Sequence, residues 1–553
     1  MKTLLYSFSL ALLIGVASCS DNLLDKPPVD RIVDETVWSD AGLVNAFVTS
    51  KYRDLGFGFN WNGDEVLWSS LSDESLFKHD YGVWVVNRGE LSPSNLGVLG
   101  SAPSEYNSNL NPWSKNYFYI RDANLFFERI GTVPMDTTQK RRLTGEMKFL
   151  RAFRYFDLMR NYGEVPLITR TFSLNDNFSA GVAKAPLADL VTFIVREADE
   201  AAALLPVSQP AAEVGRATKG AAMALKARTL LYAASPLYTG GTNDAAKWRT
   251  AAQAAKAIID MNVYTLYPDY QQLFLIARNP EIILDRGAGN VRLGDSGQNL
   301  ERNNGPNGYG GWAGNTPLQN LVDAYQTASG KDISDPTSGY NPQNPYVNRD
   351  PRLYATVLYN GAQYRGRAVE TFTPAGKDSP DGPEPWNTST TGYYLRKFMN
   401  ENREFRDATG SQSPWIYFRL GEVLLNYAEA QNEAAGPDAT VYSAVNQLRA
   451  RAKMPNLPTG LSQAQMREAI RRERQVELAF EEHRFYDVRR WRIAEQTENQ
   501  PARGVAVTRN AAGTFVYTPI VVQQRRFQER NYRLPIPFKE IQANPNLVQN
   551  QGY

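Results

Sequence analysis

Cysteine is nearly missing from this chain: 553 residues contain one, Cys19, and histidine occurs only as His79 and His483. A lone thiol excludes a disulfide framework. Two distant imidazoles, with no HExxH or paired CxxC, leave no recognisable zinc site. Charge of one sign is also lacking, since 60 Lys+Arg against 58 Asp+Glu leave a formal +2. No surplus of cations is available to neutralise a run of phosphates, so nucleic acid is excluded as a partner. No apolar run reaches the roughly 20 residues of a membrane-spanning helix. No strand, glycine loop and Lys-Ser/Thr combination marks a nucleotide site, and no cofactor or metal is implied.

What is present begins at the N-terminus. Lys2 precedes an apolar run from Leu10 to Val16, and small residues follow up to Cys19. Residues 1–18 therefore read as a secretion signal of the lipoprotein type, cleaved before Cys19, whose acyl chains would anchor the protein. Residues 19–30, polar and containing Pro27-Pro28, read as a spacer, and residues 31–553 as the body.

Helical periodicity dominates the body. Trp248, Ala252, Ala255 and Ile259 share one face. Before them, Thr218 is placed to cap a helix running through Ala222, Leu225 and Leu231 to Pro236, which makes a helical hairpin. A second hairpin follows: Leu420, Leu424, Tyr427 and Ala428 line one helix, Gly436-Pro437 breaks it, and Val441, Val445, Leu448 and Ala452 line the next. Each pair has about the 34 residues of a tetratricopeptide unit or slightly more. Further helices are predicted over 39–55, 115–130, 139–161, 185–204 and 462–494, the last opening with Ser462 and Gln465 in capping-box spacing. The class is mainly α. Stretches rich in Gly, Asn, Pro and Ser at 56–112, 286–317 and 328–415 exceed ordinary loop lengths and mark functional insertions.

Several segments resemble the SusD/RagB family: RAFRYFDLMRNYGEVPLITR from Arg151, GRATKGAAMALKARTLLYAASPLYTGG from Gly215, and YFRLGEVLLNYAEAQNEA from Tyr417. So do AVNQLRARAKMP, IRRERQVELAFEEHRFYDVRRW from Ile470 and the C-terminal YRLPIPFKEIQANPNLVQNQGY, with LDKPP after Cys19. The resemblance implies about four tetratricopeptide-like helix pairs with a loop-rich, irregular ligand-binding lobe. It also implies an outer-membrane lipoprotein facing the extracellular side, which binds glycan and delivers it to a SusC-like TonB-dependent transporter. The RagB branch implies peptide instead, and a scaffold without ligand is a third reading.

A sugar ring offers an apolar face and a hydroxyl rim, so its binders combine exposed aromatic rings with forked polar groups. Tyr309 and Trp312, in GPNGYGGWAGN, are the leading candidates, because Gly305, Gly308, Gly310, Gly311 and Gly314 leave little bulk in which to bury two rings. Their place also resembles where family members present binding aromatics; the alternative is that they pack the loop onto the scaffold. Asp73 in SLSDES resembles a polar ligand contact and equally an ordinary helix start. Trp61 and Trp84 are platforms or packing anchors, and Arg88 is their polar neighbour. Trp68, Trp113, Glu74, Asn87, Trp386, Tyr393 and Tyr394 lie in or beside the same loops, while Trp248, Trp415 and Trp491 are expected in the core.

The charge-dense segment from Arg467 to Arg492 reads as a structural helix with i,i+3 and i,i+4 pairing, because its arginines are interleaved with glutamates. Gly294-Asp295-Ser296-Gly297 superficially echoes a serine-protease motif, but Gln298 replaces its next glycine and the chain is helical, so Ser296 reads as a loop serine. Catalysis is not expected.

Overall fold

Helix caps set the starts of the scaffold. The structure is a computed structural model, and it describes residues 34–53, 55, 66–98, 111–173, 175–176, 182–286, 300–405, 411 and 413–553. The signal segment, the spacer with Cys19, Trp61 and the Gly294-Asp295-Ser296-Gly297 motif lie outside the described residues. Helix α1 (Ala41–Arg53) packs on the long α3 (Thr137–Tyr162), which pairs with α2 (Pro112–Arg129). Then α4 (Leu187–Leu204) pairs with α5 (Lys219–Ala234), α6 (Ala245–Ile259) with α7 (Leu420–Ala435), and α8 (Ala439–Arg451) with α9 (Gln463–Glu477). Each pair also touches the next, through α3 on α4, α5 on α6 and α7 on α8. The helices are those expected, while the two expected hairpins are the α5–α6 and α7–α8 contacts, and α6 also pairs with α7 across the intervening excursion.

The local signals are those read from the sequence. Thr218 accepts a hydrogen bond from the Ala221 backbone N–H, and Ser462 with Gln465 forms a reciprocal capping box. Such caps contribute about 1 kcal/mol each. The hairpin of α5 and α6 and that of α7 and α8 both form, and Trp248, Trp415 and Trp491 are buried. Among the described residues no helix is long and apolar enough to cross a membrane.

One predicted helix breaks. The span 462–494 ends as α9 at Glu477, and after a turn it resumes as α10 (Arg484–Arg490). Phe480 and Glu482 in that turn have φ of 62° and 63°, left-handed values that cost non-glycine residues energy. Tertiary ion pairs fix the residues between and beside them. Glu481 receives Nε of Arg419 at 2.7 Å and Nζ of Lys397 at 2.8 Å, and just beyond the turn Arg484 meets Asp73. The expected helix-internal pairing is correspondingly minor: Arg471 bonds Glu468 and Arg490 bonds Asp487, but Glu473, Glu477 and Glu481 pair with arginines and lysine remote in sequence.

Between α6 and α7 the chain leaves the scaffold and returns. Short antiparallel pairs organise the excursion and its neighbours: β1 (Ser75–Phe77) with β3 (Asn315–Pro317), β2 (Ile282–Arg286) with β8 (Trp415–Arg419), β4 (Val357–Leu358) with β7 (Tyr394–Leu395), and β5 (Gln363–Tyr364) with β6 (Arg367–Ala368). A hairpin of β9 (Ala502–Arg509) and β10 (Phe515–Gln523) leans on this lobe through the Val505 N–H, which donates to Thr391 O at 2.9 Å. The lobe has its own small core of Leu358, Tyr364, Val369, Tyr394 and Phe405. It is joined to α9 by buried charge: Arg352 bonds Asp350, Glu473 and Glu477. Arg419, at the start of α7, bonds Glu281, Glu477 and Glu481. Burying each of these ions costs several kcal/mol, and the network offsets that cost only because nearly every lone pair and N–H has a partner.

Candidate ligand site on the inserted lobe

The β1–β3 pairing brings the first loop region against the glycine-rich loop. Just past β1, the Lys78 N–H donates to Gly314 O at 2.8 Å. His79 Nε2 lies 2.9 Å from Trp312 O, so its N–H donates to that carbonyl. Burial lowers the imidazole pKa, which favours the neutral ring. Tyr81 stacks on His79 with ring centres 5.9 Å apart and an interplanar angle of 27°. The Arg302 guanidinium sits 4.3 Å from the Trp312 ring centre, and its backbone carbonyl accepts the Trp312 N–H at 2.7 Å. Trp312 and Tyr81 are each 37% exposed. A tryptophan backed by a cation and fixed at its own N–H and C=O is a rigid stacking surface.

The glycines of this loop serve close packing rather than exposure. A Cβ on Gly305 would come within 2.3 Å of Glu301 O and 2.4 Å of the Phe405 ring, and one on Gly311 within 2.2 Å of Gly305 O. Gly308 presses on Asp378 and Lys377 in the same way. Only Gly310 takes a left-handed φ, +82°. Tyr309 consequently turns inward: its hydroxyl donates to Tyr364 O at 2.7 Å, its ring meets Tyr364 edge-on at 5.3 Å, and Arg367 covers it at 4.0 Å. Burial pushes its phenol up to about 12, against the opposing Arg367. The two leading candidates therefore separate, Trp312 facing outward and Tyr309 half-buried in the lobe core.

Asp73 is corrected from ligand contact to structural anchor. It is 9% exposed and receives two bonds from Arg484, at 2.8 and 2.7 Å, so both of its oxygens are engaged inside the protein. Burial alone would raise its pKa, but Arg484 outweighs that and holds it below the usual carboxylate range. Glu74 and Asn87 are buried too, and Trp68 and Trp113 lie in the core against Phe485 and Tyr162. Trp84 is half-buried on the short helix Val83–Asn87, with exposed Arg88 over its ring at 4.9 Å. Of the third-loop aromatics, Tyr393 and Tyr394 are buried and Trp386 is 70% exposed. Tyr81 and Arg302 escaped the sequence reading; for the former the turn-forming types Asp80 and Gly82 on either side were the available signal, and the backbone takes positive φ at all three.

Among the described residues, the exposed Trp and Tyr side chains are Tyr81, Trp312 and Trp386, none of them on the helix pairs. Among the same residues no group of three or more His, Cys, Asp and Glu side chains is placed to hold a metal ion.

Comparison with known proteins gives one answer. Residues 280–553 match the model of the SusD family, and residues 59–231 match a model for starch-binding proteins associating with the outer membrane. SusD-like protein P2 of Formosa agariphila is 25% identical over 570 residues, covering 98% of both chains. A SusD-like protein from Bacteroides fragilis of known crystal structure is 30% identical and superposes with a TM-score of 0.79, over 96% of this chain and 100% of its own. A SusD-like carbohydrate-binding protein from the same species is 27% identical with a TM-score of 0.78, over 93% and 100%. Helix pairs, inserted lobe and sequence agree across nearly the full length, and the chain belongs to the SusD/RagB family.

Proposed function

We propose that this protein captures oligosaccharide at the outer surface of a bacterial outer membrane, held there by lipid on Cys19, and passes it without chemical conversion to a SusC-like TonB-dependent transporter. The observation that carries the reading is Trp312: a large ring left 37% exposed, backed by Arg302 and fixed through its own backbone. Full burial of a large apolar side chain contributes roughly 1.5–3 kcal/mol, so the part of the ring left in water forgoes a fraction of that and is free to stack on a ligand. Family membership, and the outer-membrane association of one matching family model, support the location and the ligand class.

The mature chain, lacking residues 1–18, is titrated calorimetrically with a glycan panel and with a peptide pool, alongside Trp312→Ala. Saccharide binding that falls at least about tenfold in the folded variant, a loss of about 1.4 kcal/mol, is the expected result. Binding of peptides alone would replace the glycan reading with capture of peptide. Incorporation of labelled fatty acid, lost on Cys19→Ala, tests the anchor, and co-purification from solubilised outer membranes tests the transporter.

A further inference from the structure

Trp386 is the most exposed of the large apolar side chains among the described residues, at 70%. It is not on a loose loop. It sits on a single turn of 3₁₀ helix, Pro385–Asn387, that Glu384 enters at a left-handed φ of 50°. Its neighbours Asn387 and Thr388 are buried, and both are tied down: Asn387 Nδ2 donates to Glu384 Oε2 at 3.0 Å, and the Thr388 hydroxyl donates to Ser379 O at 3.0 Å. The backbone holds the ring in water while the flanking side chains point inward.

The turn is also rigidly joined to the loop that carries Trp312. Asn307 Nδ2 donates to Pro383 O at 2.7 Å and to Ser379 O at 3.3 Å. The Tyr394 hydroxyl lies 2.7 Å from Asn307 Oδ1 and 2.8 Å from Asp378 O. Gly308 is packed so closely on Lys377 and Asp378 that a Cβ there would come within 2.4 Å of Asp378 Oδ1. Asn307 is five residues before Trp312 and Pro383 three before Trp386. At 3.8 Å per residue, and counting the Asn307 side chain and its hydrogen bond, the Cα atoms of the two tryptophans are separated by no more than roughly 40 Å along this joint. Two exposed indoles fixed on one body at such a spacing suit a ligand that is itself a chain with a repeating apolar face.

We propose that Trp386 is a second stacking platform, so that the lobe discriminates saccharides by length: short ones engage Trp312 alone, and longer ones engage both rings. The inference rests on the glycan reading. Because the second contact is intramolecular once the first is made, it adds affinity only to chains long enough to span the rings.

The test uses the mature chain, Trp312→Ala, Trp386→Ala and Trp386→Tyr, each checked by circular dichroism. All are measured on an array of α-glucan, β-glucan, mannan and galactan oligosaccharides, each a ladder from disaccharide to octasaccharide. The expected result is affinity that rises along at least one ladder. In Trp386→Ala it falls at least about tenfold for the long members, stays within about twofold for the short ones, and recovers in part with tyrosine. Equal affinity of Trp386→Ala for long chains, with binding still lost in Trp312→Ala, would overturn this inference and leave the glycan reading standing. Retention of no saccharide by the unmodified chain would overturn both.

Discussion

Asp73 and Arg484, 411 positions apart, form a doubly bonded ion pair at 2.8 and 2.7 Å in the protein interior. It links the segment just before β1 to α10, and so holds the foot of the ligand lobe to the last part of the scaffold. Truncating Asp73 leaves the Arg484 guanidinium charged and buried without its hydrogen-bonded partner, with only Glu74 and Glu498 nearby to offset it. Asp73→Ala is expected to destabilise the protein by about 3–5 kcal/mol, while the fraction still folded binds saccharide as before. Denaturant titration and calorimetry on the same sample measure the two effects, and a selective loss of affinity at unchanged stability would return Asp73 to the ligand site.

Tyr309 and Trp312 should behave as differently as their environments. Tyr309→Phe removes a hydroxyl that donates to Tyr364 O and keeps the ring. The expected cost is about 1 kcal/mol of stability, read as a lowered unfolding midpoint, with saccharide affinity unchanged. Trp312→Ala should show the opposite pattern in affinity, with a stability loss confined to the buried part of the ring that packs on Arg302.

The glycine-rich loop offers a test of shape. Gly311→Ala would drive a methyl to within 2.2 Å of Gly305 O, whereas Gly310→Ala meets open space and costs only the left-handed φ. The first substitution should displace the loop and remove ligand binding; the second should cost about 1 kcal/mol and preserve it. Paired melting and binding curves decide between them, and equal behaviour would mean that the loop relaxes freely.

The scaffold was legible in the sequence because its signals are local. Thr218, Ser462 with Gln465, and the spaced apolar faces of α5 to α8 each act within a few residues, and they recur in the structure where they were read. The break after Glu477 was not legible, since no glycine or proline marks it. Phe480 and Glu482 take left-handed conformations on either side of Glu481, whose carboxylate is held by Arg419 and Lys397 from distant segments. The candidate site was legible as a region and not residue by residue. Whether Asp73 faces ligand or Arg484, and whether Tyr309 points out or in, depends on contacts with segments tens to hundreds of residues away.

Beside that ion pair lies a pH-sensitive element. Glu74 is buried, and both its carboxylate oxygens lack a hydrogen-bond partner. Burial, and then the neighbouring Asp73, push its pKa up to about 8, against Arg484 and Lys397. The unfolded chain ionises this group near 4.3. Below that value both states hold the proton and the penalty is absent. As pH rises toward 8 the unfolded state has lost its proton while the folded state keeps it, so stability falls with pH across that window. Glu74→Gln mimics the protonated form. It should be close to neutral at pH 4 and should stabilise the protein by roughly 1–3 kcal/mol above pH 8. Glu498, also pushed up to about 7 by burial and by Asp73, will leave a residual slope in the variant. Melting temperatures of both proteins from pH 4 to 9 are the measurement. Parallel curves would show that Glu74 is ionised in the folded state and compensated by Arg484, whereas curves that diverge as pH rises would show a carboxyl kept neutral beneath the ligand lobe.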